Sequence, residues 1–235
     1  MPDTILPARL IRAFDFFLCM DLGNIQPPTN PDEFFTWLKK ASEEHWESVE
    51  INRSVFGFQP QRGTKWLPGL SDEEVAEYEK VMGFSFPEIY KLYLKNMNGT
   101  DIPTINVYGE CGEPYRYASG YYSYPRDLGV VKGTIKWIHD DFGVKPEFIE
   151  ENNIPHIMPI VSHRFLVVDR CAENPVLSMY GRDSILYAPS LAGFLVNDIS
   201  KGDGITIVAD ESAVEVKFWL DDEVASGVVE AGGEI

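Results

Sequence analysis

Apolar positions in this chain recur at helical spacing through the first hundred residues and turn strand-like in the second half. Leu6, Leu10, Ile11, Phe14, Phe17 and Leu18 predict a first helix, with Pro7 near its start. A second begins at Pro31, capped by Asn30, with Asp32 and Glu33 in its first turn and Phe34, Phe35 and Leu38 as its apolar stripe. Residues 52–65 read as loop, with Gly57, Pro60 and Gly63. Ser71 and Glu74 then form a capping box, with Leu70 placed as a staple against Val75. Val75, Tyr78 and Met82 share one face of the helix that follows, and Gly83 stops it. The next helix starts at Pro87, turns Ile89, Tyr93, Leu94 and Met97 inward, and closes at Asn98-Gly99. The two make a helical hairpin.

Strand-like, aromatic segments follow at Ile105–Tyr108 and Tyr115–Tyr124. Val131, Ile135, Ile138 and Phe142 predict another helix, and Pro146–Asn152 a short one. Ile157–Val161, Phe165–Asp169 and Val176–Tyr180 are predicted strands with short separators, so an antiparallel meander is expected. Leu191, Phe194, Leu195 and Ile199 mark a last helix. Ile205–Ala209 and Val214–Leu220 are expected to add an edge hairpin, and Ala225–Ile235 to be loose. The expected division is an N-terminal helical extension over 1–65, a principal domain over 66–200, and an acidic hairpin and tail over 201–235.

Charge narrows the choice of partner. The 235 residues carry 20 Lys and Arg against 37 Asp and Glu, a net −17, and the tail from 201 is the most acidic part for its length. Such a surface repels nucleic acid and anionic membrane and attracts basic partners. An apolar content of 44% is enough for a real core. The apolar patch Phe14–Met20 is interrupted by Asp15 and lacks a basic start, so no secretory signal is expected. No run of 18 apolar residues occurs, so no membrane-spanning helix is expected. Cys19, Cys111 and Cys171 match no disulfide or metal spacing and read as reduced thiols of a cytoplasmic protein.

No catalytic signature stands out. Gly109-Glu110-Cys111-Gly112 has neither the length nor the lysine of a phosphate loop. His139-Asp140-Asp141 reads as solvated surface and His163 as a turn histidine, and neither a cofactor nor a metal is expected. Catalytic groups that converge only in space would need a pocket with displaced pKa values. The conspicuous feature is aromatic: Tyr108, Tyr115, Tyr117, Tyr121, Tyr122 and Tyr124 fall within 17 positions, among Ser119, Gly120, Ser123, Glu110, Glu113 and Asp127. Tyrosine among small residues makes adaptable recognition surfaces, because it offers contact area at little entropic cost. The alternative is a strand pair with alternate tyrosines on one face. On the recognition reading, Tyr108, Glu110, Glu113, Tyr115, Tyr117, Tyr121, Tyr122 and Asp127 are the expected partner contacts, while Trp66, Tyr78, Phe86 and Tyr93 belong to the core.

From Trp66 to Ile199 the sequence resembles the SUKH superfamily, the SMI/KNR type of domain. The resemblance rests first on Leu70-Ser71-Asp72-Glu73-Glu74, Tyr78-Glu79, Gly83, Phe86-Pro87, Tyr90, Tyr93-Leu94 and Asn98-Gly99. It continues in Met158-Pro159-Ile160, Val167-Val168-Asp169, Pro175-Val176 and Ser190–Leu195. It implies an α+β fold around a mainly antiparallel sheet packed with helices, and a role without catalysis. Bacterial members of that superfamily are typically immunity proteins that bind and neutralise a cognate polymorphic toxin, often a nuclease. Fungal members of the cell-wall-regulator type are regulatory adaptors. An immunity protein for a basic toxin is the expected function, with the adaptor as the alternative.

Overall fold

The computed structural model describes residues 28–108, 113–116, 120–171, 173–199 and 214–221, with only the backbone of 113–116. The predicted helix over Leu6–Leu18, the strand Ile205–Ala209 and the loose Ala225–Ile235 lie outside those residues.

The first described helix, α1 (Pro31–Trp46), starts as its sequence dictates: the Asn30 side-chain oxygen accepts the backbone N–H groups of Asp32 and Glu33. Phe34, Phe35, Leu38 and Trp46 are buried along one stripe. In α2 (Asp72–Met82) the capping box is complete, Ser71 bonding Glu74 N–H and Glu74 bonding Ser71 N–H, and Gly83 ends the helix at φ 85°. Glu79 ties the turn to α3 (Glu88–Asn96) by accepting Phe86 N–H at 2.6 Å and Lys91 Nζ at 2.9 Å.

The end of α3 differs from expectation. Its cap is Met97 in extended conformation, and Gly99 (φ 73°) lies beyond it. Glycine is needed there for a close approach: a Cβ would sit 2.7 Å from the Tyr121 carbonyl oxygen and 2.7 Å from Ser123 Cβ.

Two antiparallel sheets follow. The first holds β1 (Gly57–Gln59), β2 (Ile105–Tyr108) and β3 (Glu113–Arg116) in that order. β1 falls within the stretch predicted as loop. A glycine at φ 106° and only three paired residues give it no readable period.

The second sheet is the expected meander extended by one strand. It runs β4 (Ile157–Val161), β5 (Arg164–Val167), β6 (Val176–Tyr180) and β7 (Asp183–Ala188). Gly181 (φ 60°) occupies the first central position of the two-residue β6–β7 loop, the placement a type II′ turn requires.

Its two faces build two cores. Met158, Ile160, Leu166, Val168 and Val176 join α1, α2, α3 and α6 (Leu191–Ile199) in the larger cluster. Their alternates Ile157, Phe165, Val167, Leu177 and Met179 join α5 (Pro146–Glu151) and the second half of α4 (Leu128–Phe142) in the other. Burial on both sides explains the unbroken apolar run of Ile157–Val161, every residue of which is buried.

Helix α1 packs directly into the larger core: Trp46 lies 5.4 Å from Trp66, ring centre to ring centre, and Trp66 Nε1 donates to Ser42 Oγ at 2.7 Å. One expectation is corrected: Val214–Leu220 is not a strand. Lys217–Leu220 is a turn whose Phe218 and Trp219, with Val216 just before it, are buried in the second core, and Trp219 Nε1 donates to the Pro155 carbonyl at 2.7 Å. An apolar stretch with a Trp fills a core as readily as it pairs an edge. The fold is α+β, and among the described residues no helix is long and apolar enough to cross a membrane.

Candidate interaction surface

The tyrosine-rich segment divides in two. Its second half passes between α2–α3 and β4 and is internal. Tyr121, only 2% exposed, bridges Val161 of β4, packs 4.8 Å from Trp66 and donates its hydroxyl to Asp198 Oδ2 at 2.6 Å. Tyr122 is 6% exposed, its N–H on the Ile160 carbonyl at 3.0 Å and its hydroxyl on the Ser162 carbonyl. Tyr124 stacks on Tyr78 at 4.2 Å and exchanges two backbone bonds with the Asn98 side chain. Asp127, 6% exposed, accepts Ser123 N–H at 2.8 Å and pairs with Arg126. Tyr121, Tyr122 and Asp127 are therefore corrected from partner contacts to internal structure: each spends its polar group on this chain's own backbone or α6. Burial first, and the Asp198 charge second, push the Tyr121 hydroxyl well above the ordinary tyrosine range. Burial does the same at Tyr90 and Tyr93.

Of the first half, only Tyr108 has a described side chain, and it lies at the surface. Tyr108 is 46% exposed at the end of β2. The sheet register sets Glu113 opposite Tyr108, and Tyr115 opposite Asn106. Ile105 and Val107 point into the protein, so Asn106 and Tyr108 take the outer face. Glu110 and Tyr117 lie outside the described residues.

The same outer face leads to a feature the sequence reading did not single out. Phe58 pairs with Asn106, and the exposed Phe56 precedes it by two. From Phe58 a chain of edge-on aromatic contacts crosses to the second sheet. Phe58 meets His163 at 6.3 Å, His163 meets Tyr180 at 6.1 Å, and Tyr180 meets Trp137 of α4 at 5.4 Å. Tyr180 is 70% exposed, and Ile185 of β7 is exposed too. His163 is a turn residue as expected. The signal that could have found this ridge is Tyr180-Gly181-Arg182-Asp183, a hairpin turn beginning with a large aromatic.

A second cluster was also missed. His156 presents Nδ1 to Asp169 Oδ2 at 2.7 Å and Nε2 to Glu150 Oε1 at 2.8 Å, and its ring stacks 4.5 Å from Phe84. Arg170 pairs with Glu150 and lies 3.7 Å from Asp169. Arg170 first, and His156 with it, hold the Glu150 carboxyl below its ordinary range. At Asp169 burial pushes upward, but hydrogen bonds and charge from His156 and Arg170 outweigh it and the carboxyl is held down. Both ring nitrogens of His156 are thus engaged by carboxylates of this chain. The residue is a strut between the helical hairpin and the loops of the second core. His139 is not solvated surface, as its Asp140-Asp141 neighbours suggested. It is half-buried, parallel to Trp219 at 5.9 Å, and desolvation, then the His156 charge, lower its pKa. Among the described residues no group of three His, Cys, Asp or Glu side chains could hold a metal ion.

Comparison with known proteins finds no match: no family model, curated protein or solved structure corresponds to this chain.

Proposed function

We propose that this protein works by binding a basic protein partner, and that it is a toxin-immunity protein of the SUKH kind. The observation that carries the reading is the aromatic ridge that runs from the partly buried Phe58 through His163 to the exposed Tyr180, joined on its outer sheet face by the exposed Tyr108, on a chain of net charge −17. Aromatic side chains in a recognition surface supply affinity through buried area. A surplus of carboxylates steers a basic partner in and rejects nucleic acid. The order of sequence features from Ser71 to Gly99 supports the family, and the family supplies the role.

The test is rescue of growth. Co-expression with the basic toxin domain encoded beside this gene restores growth of a sensitive host. Failure of rescue with both proteins expressed overturns the reading. The association rate of the pair falls steeply between low and high salt, and a flat salt dependence removes the steering argument.

A further inference from the structure

We infer that the corner where Tyr180 meets Trp137 is a receptor for a basic side chain, an arginine of the partner. The inference rests on the reading of this protein as a binder of basic proteins and adds to it a place and a chemistry.

Tyr180 is the most exposed large hydrophobic side chain among the described residues. Its ring meets that of Trp137 at 78° with 5.4 Å between centres. Electron-rich rings attract a cation laid over them, most strongly when one of them is an indole. The platform is held in place. Arg182 Nε donates to the Asp141 carbonyl at 2.7 Å, which anchors the β6–β7 turn to the end of α4. The turn packs so closely there that a Cβ on Gly181 would sit 2.8 Å from Asp141 Oδ2. A pre-placed aromatic surface loses little entropy when a partner binds.

Charge selects the occupant. The sheet register sets Asp183 directly opposite Tyr180, and Asp183 and Asp141 are both exposed. Among the described residues neither carries an ion pair, whereas the nearby Lys136 is already matched by Asp140 at 2.5 Å. Aromatic faces beside unmatched carboxylates fit a guanidinium better than an ammonium. A guanidinium stacks on a ring through its plane while its N–H groups fork onto a carboxylate.

The experiment titrates the full chain with a nine-arginine peptide and, separately, a nine-lysine peptide, following backbone amide and indole signals by NMR. The shifts concentrate at the Trp137 indole, Tyr180 and Asp183, and the arginine peptide binds more tightly than the lysine peptide. Tyr180→Ala weakens the arginine peptide about fivefold, Tyr180→Phe retains it, and Asp183→Asn weakens it about threefold. Tyr180→Phe and Asp183→Asn keep the wild-type melting temperature, and Tyr180→Ala, which also gives up the ring contacts to Trp137 and His163, stays fully folded at the temperature of the titration. Shifts spread evenly over the acidic helix α2, or equal binding by Tyr180→Ala and wild type, overturn the inference. The growth assay separates this from the functional reading. Rescue by wild type and Tyr180→Ala alike sinks the receptor and keeps the immunity role. No rescue, with the peptide still seated at the corner, does the reverse.

Discussion

Tyr121 and Tyr180 are both tyrosines at the margin of a strand, yet one is 2% exposed and the other 70%. Tyr121 lies where the chain passes between Trp66 and β4, with Asp198 waiting for its hydroxyl. Tyr180 opens a hairpin turn, with Asp183 across from it and the end of α4 behind. The difference teaches that tyrosine density along a sequence is not tyrosine density on a surface. The residue sorts by its surroundings: a ring with a polar acceptor within reach can be buried whole, and a ring at a hairpin turn with no element laid over it stays out. The densest tyrosine stretch of the chain therefore delivers part of its aromatic surface to the core, and the most exposed tyrosine among the described residues stands outside that stretch.

The comparison can be broken at three points. The largest effect belongs to Gly99→Ala. It combines a left-handed backbone with contacts of 2.7 Å to the Tyr121 carbonyl and to Ser123, and costs about 3 kcal/mol by chemical denaturation. A loss below about 1 kcal/mol would mean that the 121–123 segment is not pinned. Next, Tyr121→Phe leaves the Asp198 carboxylate short of a buried 2.6 Å hydrogen bond and costs about 2 kcal/mol. The same exchange at Tyr180 shifts stability by less than about 0.5 kcal/mol. Equal costs at the two sites would erase the distinction between them.

The smallest effect is on pH dependence, at the seam between the two cores. His139 titrates below its ordinary 6.5, so its contribution to stability is complete above 6.5 and is lost as pH falls through its lower folded value. Asp169 and Glu150, ordinarily 3.8 and 4.5, contribute fully above those values and lose their contribution as pH falls through their depressed folded ones. Denaturation free energy followed against pH therefore declines in two steps, and His139→Gln removes the upper one. A wild-type profile flat from neutrality down to the carboxylate range contradicts the assignment.

Local chemistry was legible in the sequence where one residue decides the outcome. Asn30, the Ser71–Glu74 box and Gly83 each act within a turn, and each helix starts or stops where they stand. The meander was legible because its strands are short apolar runs divided by turns. β7 escaped because Asp183–Ala188 is an edge strand of mixed exposure, and β1 because three residues carry no period. The candidate site was legible only in part. Tyr108 is exposed, but Tyr121, Tyr122 and Asp127 are held by Asp198, Ser162 and Ser123, and two of those partners lie dozens of residues away. The ridge joins Phe58, Trp137, His163 and Tyr180 from four separate segments, and no spacing rule spans them.

The turn at Lys217–Leu220 bears on how the molecule is made. Trp219 closes a chamber whose other walls, Phe142, Ile154 and Phe165, come from segments synthesised far earlier. Until the ribosome has delivered that indole, the core that α4 and α5 form on this face of the four-stranded sheet lacks one of its largest side chains and stays incompletely packed. Maturation of this half therefore waits on a single late aromatic, while the helical side, assembled from earlier segments, can settle first.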